Sequence, residues 1–306
     1  MSNKGDIKLE KISRKRKKIQ GEAAWILNVP YILYSIIFLV LPLGWAGWLA
    51  VTDWNLMSPK YNIVGFSNYI KLFTDEKVQA AFWNSYRYLV PIVVLCVIFG
   101  IGIALLTSKL PSKLKGTVAV MFFIPYLTSG VATSVMIKYV FSYNSALNIF
   151  LRNQFDIDIN WMQSKAAFWV LVGMIVWKMS GYYALFVLSA IESISADVYE
   201  AAAIDNCTGI NKFFMITLPM ITPTMTSVIV LAAGLSFQIF AEPFLLTGGG
   251  PSLDTTTWQL EIYNSSFVRF QAGYGAAMAI INAIQIFVTI KIITVIMNKF
   301  NKKFGW

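Results

Sequence analysis

The sequence has no histidine and only two cysteines, which removes much of the usual metal and nucleophile chemistry. Without histidine, imidazole zinc sites and Ser/His or Cys/His catalysis are excluded within the chain. Cys96 lies inside an apolar run and Cys207 in a polar loop, so the two form neither a disulfide framework nor a metal site. We expect no catalytic residue, no metal and no cofactor in this chain.

Charged residues are also scarce. They make up 13% of the 306 residues, against about 25% in a soluble globular domain. Hydrophobic residues make up 57%, so the expected solvent is a lipid bilayer. The net charge of +10 does not indicate a nucleic-acid partner, because eight of the 25 Lys and Arg lie in the first 18 residues and no basic face recurs later.

Six apolar runs are long enough to cross a membrane as helices, which takes about 20 predominantly apolar residues. The runs are continuous and do not alternate, so helices are favoured over barrel strands. The first run follows a polar leader and is too long for the core of a cleaved signal sequence. The sequence therefore predicts an all-α membrane protein with six transmembrane helices, at 25–51, 82–107, 117–141, 166–191, 216–241 and 276–298.

The distribution of Lys and Arg predicts the orientation. Fifteen lie before the first run, after the second, after the fourth and after the sixth, whereas six lie in the other loops. Because cytoplasmic loops carry the excess of basic residues, both termini should be cytoplasmic. We predict a basic cytoplasmic leader at 1–24, a membrane domain at 25–300 with a cytoplasmic loop at 192–215, and a cytoplasmic tail at 301–306.

The loop at 192–215 carries four acids and one lysine. From Glu200, through the end of the loop to Pro219, the sequence is EAAAIDNCTGINKFFMITLP. Between Ser195 and Phe213 the residues favour a short helix, a turn and a second short helix. A solvated charged loop is the simplest interpretation of such a segment. The spacing of its residues is more specific than its charge.

The segment resembles the EAA motif of ABC importer permeases. Glu200, Ala201 and Ala202 match its start, Asp205 matches the acid that commonly precedes the family's glycine, and the end matches at Ile216, Leu218 and Pro219. The sequence departs from the family at Asn206, where the family has glycine. Asparagine tolerates a positive φ better than other non-glycine residues, so the turn should survive, with Gly209 taking part of the strain.

Three further segments resemble the carbohydrate-uptake type of these permeases, in particular the first permease of maltose transporters. They are VGFSNYIKLF at 64–73, FFIPYLTSGVATSVMIKYVF at 122–141 and FLLTGGGP at 244–251. With the EAA segment they extend the resemblance over about residues 25–300.

The resemblance implies a coupling helix that docks on a separate ATPase subunit, where ATP and magnesium bind. The chain itself has no Gly-x-x-x-x-Gly-Lys-Ser/Thr loop for phosphate. The implied partners are a second homologous permease in a heterodimer, two ATPase subunits, an extracytoplasmic solute-binding protein and a carbohydrate, in a bacterial plasma membrane. The implied coupling residues are Glu200, Ala201, Ala202, Asp205, Asn206, Gly209, Leu218 and Pro219.

Lys178 is the ionisable residue that best indicates a substrate pathway. It lies about 12 residues into the fourth run, near the middle of a hydrocarbon core about 30 Å thick. No acid of the chain is expected at that depth, so its partner is water, a backbone carbonyl, another subunit or an anionic substrate. The aromatic and amide residues predicted near Lys178 could bind a sugar, and with equal weight they could join helices through hydrogen bonds. The candidate pathway comprises Trp177, Lys178, Tyr182, Tyr183, Gln238, Glu242, Asn282 and Gln285.

The sequence thus favours a permease subunit that moves a carbohydrate, either neutral or acidic. Within the same class, glycerol phosphate or a peptide is the alternative solute. An ion-coupled carrier is a rival from another class, and it would need a carboxylate in mid-membrane or paired unwound helices.

Overall fold

The computed structural model describes Trp25 and residues 27–303, so the predicted leader at 1–24 lies outside the described residues. Its helices are α1 Leu27–Leu49, α2 Ser67–Leu72, α3 Glu76–Ser108, α4 Ser112–Leu127, α5 Gly130–Val140, α6 Ala146–Phe155, α7 Ala166–Glu192, α8 Ala196–Ile204, α9 Gly209–Lys212, α10 Leu218–Ser236, α11 Ala241–Leu246, α12 Trp258–Tyr263 and α13 Ala272–Lys303. Over these residues the all-α prediction is confirmed.

Three π-helical segments and one 3-10 turn interrupt or extend these helices. The π segments are Ile36–Val40 within α1, Phe213–Thr217 between α9 and α10, and Asn264–Val268 after α12. The 3-10 turn is Trp161–Gln163.

Five of the helical segments have the length and apolar composition of a membrane span: Leu27–Leu49, Glu76–Ser108, Ala166–Glu192, Gly209–Leu246 and Ala272–Lys302. They coincide with five of the six predicted runs and extend beyond most of them at the ends. The orientation of the termini remains a prediction from the charge distribution.

The third predicted span, 117–141, is not one continuous helix. It consists of α4 and α5, which meet at an angle of 90°. Thr128 and Ser129 are extended, with ψ of 143° and 136°, and the Ser129 hydroxyl accepts a hydrogen bond from Val131 N–H, which starts α5 anew. Pro125, which has no N–H to donate, loosens the last turn of α4. The prediction of a continuous helix is therefore wrong, and the segment counts as a sixth span only as a broken one.

Helices α3, α7 and α10 form the main core. Tyr88 and Ile92 of α3 pack with Leu171 and Val187 of α7 and with Val228 of α10, and all five are fully buried. Because lipid is as apolar as these side chains, van der Waals packing has to hold the helices together, and small residues let their backbones approach closely.

Gly181 shows how tight this packing is. A Cβ added there would overlap the carbonyl oxygen of Phe122 on α4, so only glycine lets α7 lie directly against the α4 backbone. Gly173, two turns earlier on α7, has nothing within 4 Å of an added Cβ. The close contact of α7 with α4 therefore depends on Gly181.

A second cluster joins the end of α1 to α12 and α13. Ala50, Leu72, Trp258 and Met278 are buried in it. The indole N–H of Trp258 donates to the amide oxygen of Gln285 at 2.6 Å. By contrast, none of the side chains in the most apolar stretch of α1 is buried.

Candidate functional site

The loop at 192–215 folds as the sequence predicts, into a short helix, a turn and a second short helix. Asn206 adopts a φ of 55° and Gly209 a φ of 58°, so both take left-handed conformations in the turn. The N–H of Cys207 donates to the carbonyl of Ala202 at 2.8 Å and closes the end of α8. The prediction that asparagine replaces the family's glycine without loss of the turn is confirmed.

The surface of this loop combines acids with apolar side chains. Glu200, Ala201 and Asp205 are exposed, whereas Ala202 is buried. Ile204 and Ile210, on either side of the turn, are 86% and 75% exposed. Leu218 and Pro219 are half-buried at the start of α10.

Two contacts join the loop to the bundle, and a third lies within the loop. The hydroxyls of Tyr199 and Thr217 hydrogen-bond at 3.3 Å, which joins α8 to the start of α10. The ammonium of Lys212 lies 5.3 Å from the centre of the Tyr199 ring. Glu192, the last residue of α7, pairs with Lys115 of α4 at 2.7 Å. The loop is therefore connected to α4, α7 and α10.

Within the bundle, a cavity of about 300 Å³ lies where α4 and α5 separate. Gly130 of α5, Lys178 of α7, Gln238 and Glu242 all line it. Lys178 is only 8% exposed, and within the described part of the chain its ammonium takes part in no ion pair. Three of the predicted pathway residues thus meet around one space.

The expectation that no acid lies at the depth of Lys178 is wrong. A Cβ on Gly130 would lie 3.6 Å from the Lys178 ammonium nitrogen and 3.9 Å from a carboxylate oxygen of Glu242. The continuous run 216–241 conceals this proximity, because α10 ends at Ser236 and α11 begins only at Ala241. After that break, depth can no longer be counted along one helix, and the chain brings Glu242 to the cavity.

The predicted aromatic residues of α7 have other surroundings. Trp177 lines an apolar cavity of about 860 Å³ together with residues of α3 and α4. The Tyr182 ring stacks on Tyr126 of α4, with centroids 4.3 Å apart and planes at 12°. Tyr183 is buried in the main core. These three residues are not among those that line the cavity at Lys178.

The predicted amides of α13 are also separate from that cavity. Gln285 accepts from Trp258 and donates to the carbonyl of Phe82 at 3.3 Å, so it ties α12 and α3 to α13. Asn282 is buried, and its amide oxygen has no hydrogen-bond partner within the described range.

Sequence reasoning missed Gly130 and Phe240, which both line the cavity. The signal for Gly130 was the local order Thr128-Ser129-Gly130 after a proline, which is typical of a helix start. No comparable signal marks Phe240, whose position depends on the break after α10.

A bundle of membrane-length helices, with a charged cavity at a broken span and a compact helical loop between α7 and α10, defines a multi-pass membrane protein of the transport class. Residues 91–305 match the family model for the binding-protein-dependent transport system inner membrane component. The chain belongs to this family and is a transport permease subunit.

The similar proteins are of the same kind. The multiple sugar-binding transport system permease protein MsmF of Streptococcus mutans is 30% identical, over 94% of this chain and 98% of MsmF. The diacetylchitobiose uptake system permease protein NgcF of Streptomyces coelicolor is 32% identical, over 84% of this chain and 76% of NgcF.

A bacterial alginate ABC transporter, solved in complex with an alginate pentasaccharide-bound periplasmic protein, has a chain of the same fold. The TM-score is 0.78, with 94% of this chain and 97% of that chain covered, at 21% identity.

Proposed function

We propose that this permease subunit carries a carbohydrate across a bacterial plasma membrane through the cavity at Gly130, Lys178, Gln238 and Glu242. The observation that supports this most directly is the convergence of an ammonium, a carboxylate and an amide on one space between membrane helices. A sugar hydroxyl can donate to the carboxylate and accept from the ammonium. The relatives named for multiple sugars and for diacetylchitobiose point to the same class of solute.

Glu242 changes the expected charge of the solute. Lys178 alone would favour a uronate or a sulfate, because a buried ammonium needs a counter-charge. With a carboxylate on the same cavity, the ammonium is compensated within the chain and the formal charges of the site cancel. We therefore infer a neutral saccharide.

The loop surface around Glu200 is the proposed contact with a separate ATPase. Its exposed isoleucines, Ile204 and Ile210, would be costly to leave in water, and its acids would pair with a basic groove. ATP binding on the partner would then favour one of two conformations of the membrane helices, which is alternating access by differential binding.

The complete importer would contain a second permease, two ATPase subunits, with ATP and magnesium bound there, and an extracytoplasmic binding protein. The most apolar stretch of α1 has no buried side chain, which leaves its surface for lipid and for the second permease.

Uptake by cells that produce the complete importer tests this function. Labelled neutral oligosaccharides, uronic oligosaccharides, glycerol 3-phosphate and a dipeptide would be offered in turn. We expect uptake of a neutral saccharide that disappears when this subunit is deleted and returns on complementation. Uptake of only the phosphate or the peptide would contradict the proposal.

A further inference from the structure

A second cavity, of about 440 Å³, lies beside the one at Lys178. Gln238 and Phe240 line both, so the two spaces share one wall. The opposite wall of the second cavity is α12 and its π-helical extension, which contribute Gln259, Tyr263 and Phe267. Gln259 and Tyr263 are four residues apart on one helix and therefore point to the same side.

The polar groups of this wall are not used by the fold. Gln259 and Tyr263 are half-buried, and neither the Gln259 amide nor the Tyr263 hydroxyl hydrogen-bonds to another residue of the described chain. On the shared wall, the side-chain N–H of Gln238 donates to the carbonyl of Gly234 at 3.1 Å, which leaves the Gln238 amide oxygen for a ligand. In contrast, Gln285 uses both ends of its amide to join helices.

Three aromatic rings line the cavity, those of Phe240, Tyr263 and Phe267, and Phe244 packs against two of them. Phe240, Phe244, Tyr263 and Phe267 form a continuous series with neighbouring centroids 5.2–5.6 Å apart. Phe267 is 59% exposed, so part of its ring is open to a ligand. The electron-rich face of an aromatic ring suits the C–H face of a pyranose, and amides beside it suit the hydroxyl rim.

We propose that this second cavity is a further saccharide subsite, which rests on the proposed function. The solute is then a neutral oligosaccharide of at least two pyranose units, with one unit at Lys178 and Glu242 and the next between Phe240, Gln259 and Tyr263. Both cavities reach the size of small-molecule sites, about 300 Å³ or more, and their shared wall allows one ligand to occupy both.

A lipid chain fits the second cavity less well than a saccharide. In hydrocarbon the Gln259 amide and the Tyr263 hydroxyl would be left without hydrogen bonds, which is unfavourable. A helix of the second permease is the other possible occupant. In that case the same residues would hold the complex together and would not discriminate between solutes of different length.

The test measures how uptake depends on solute length. Cells that produce the complete importer receive labelled glucose, galactose and N-acetylglucosamine, each as the monosaccharide, disaccharide and trisaccharide. Gln259→Leu and Tyr263→Phe are compared with the wild type at each length, so that the specificity of the binding protein cancels. We expect about two- to ten-fold lower uptake of disaccharide and trisaccharide, the effect of one lost hydrogen bond, and little change for a monosaccharide.

Gln271→Leu and Tyr139→Phe make the same chemical changes at exposed positions outside both cavities and should leave uptake unchanged at every length. Unchanged uptake in the Gln259 and Tyr263 variants would overturn the second subsite but not the proposed function. Equal loss at all lengths, with less complex recovered on purification, would assign these residues to assembly instead. A wild-type importer that takes up none of these sugars would overturn both proposals.

Discussion

Lys178 of α7 and Glu242 of α11 both approach the position where Gly130 lacks a side chain. Each charged group lies within 4 Å of the position that a Cβ on Gly130 would occupy. At the mid-membrane depth that the sequence predicts for Lys178, an ammonium costs about 2.5–3.5 kcal/mol on insertion scales. The carboxylate on the same cavity lowers that cost without closing the space between the groups.

Neutralising either charge should therefore affect the other. We expect Lys178→Gln and Glu242→Gln each to lower the thermal stability of the purified complex, because each leaves one charge uncompensated. The double variant should be more stable than the sum of the two effects implies, by about 0.5–3 kcal/mol of coupling. Lys165→Gln with Glu242→Gln is the matched control and should be additive, since Lys165 is exposed before α7. Additive effects of Lys178 and Glu242 would contradict the compensation.

Charge reversal at Glu200 should uncouple the permease from the ATPase subunit that we propose as its partner. Glu200→Lys places like charges together if a basic groove receives α8, so uptake should fall more than about ten-fold and less ATPase should co-purify. Sugar binding to the extracytoplasmic protein should not change. The control is Glu76→Lys, an exposed reversal at the start of α3. Normal uptake by the Glu200 variant would leave the loop as solvated charge.

The orientation can be tested with an impermeant thiol reagent in a background that lacks Cys207. Single cysteines at the exposed positions Lys60 and Asn160 should react from outside intact cells, and those at Ser112 and Asp205 should react only after lysis. The expectation follows from the excess of basic residues on the cytoplasmic side. The opposite pattern would place the loop at 192–215 outside and rule out its contact with an ATPase.

Gly181→Ala should destabilise the subunit, because the added methyl group overlaps the carbonyl oxygen of Phe122 and must push α4 away. Overpacking of this kind costs about 1–3 kcal/mol. Gly173→Ala on the same helix meets no atom within 4 Å and should have little effect. The measurement is the thermal unfolding midpoint of the two variants in detergent. Equal midpoints would show that α4 accommodates the methyl group.

Sequence reasoning recovered what depends on the order of residues along one helix. Five of the spans follow from the length of their apolar runs, and the turn at Asn206 follows from the tolerance of asparagine for positive φ. Both are local properties.

What the sequence did not predict depends on breaks in the helices. The extended backbone at Thr128 and Ser129 turns the third span by 90°, although the apolar run continues through it. The break after Ser236 likewise brings Glu242 beside Lys178, and an estimate of depth from residue number assumes a straight helix. Hydropathy cannot register such breaks, because they do not change composition.

The contact of Gly181 with the Phe122 carbonyl has a mechanical consequence. Together with the pair of Lys115 and Glu192, it connects α4 to α7 both along its length and at the end next to the loop. A displacement of the loop would then move the two helices together as one rigid body. The nearest break in these helices is the extended pair Thr128–Ser129, so the motion would be passed on to α5, beside the cavity at Lys178.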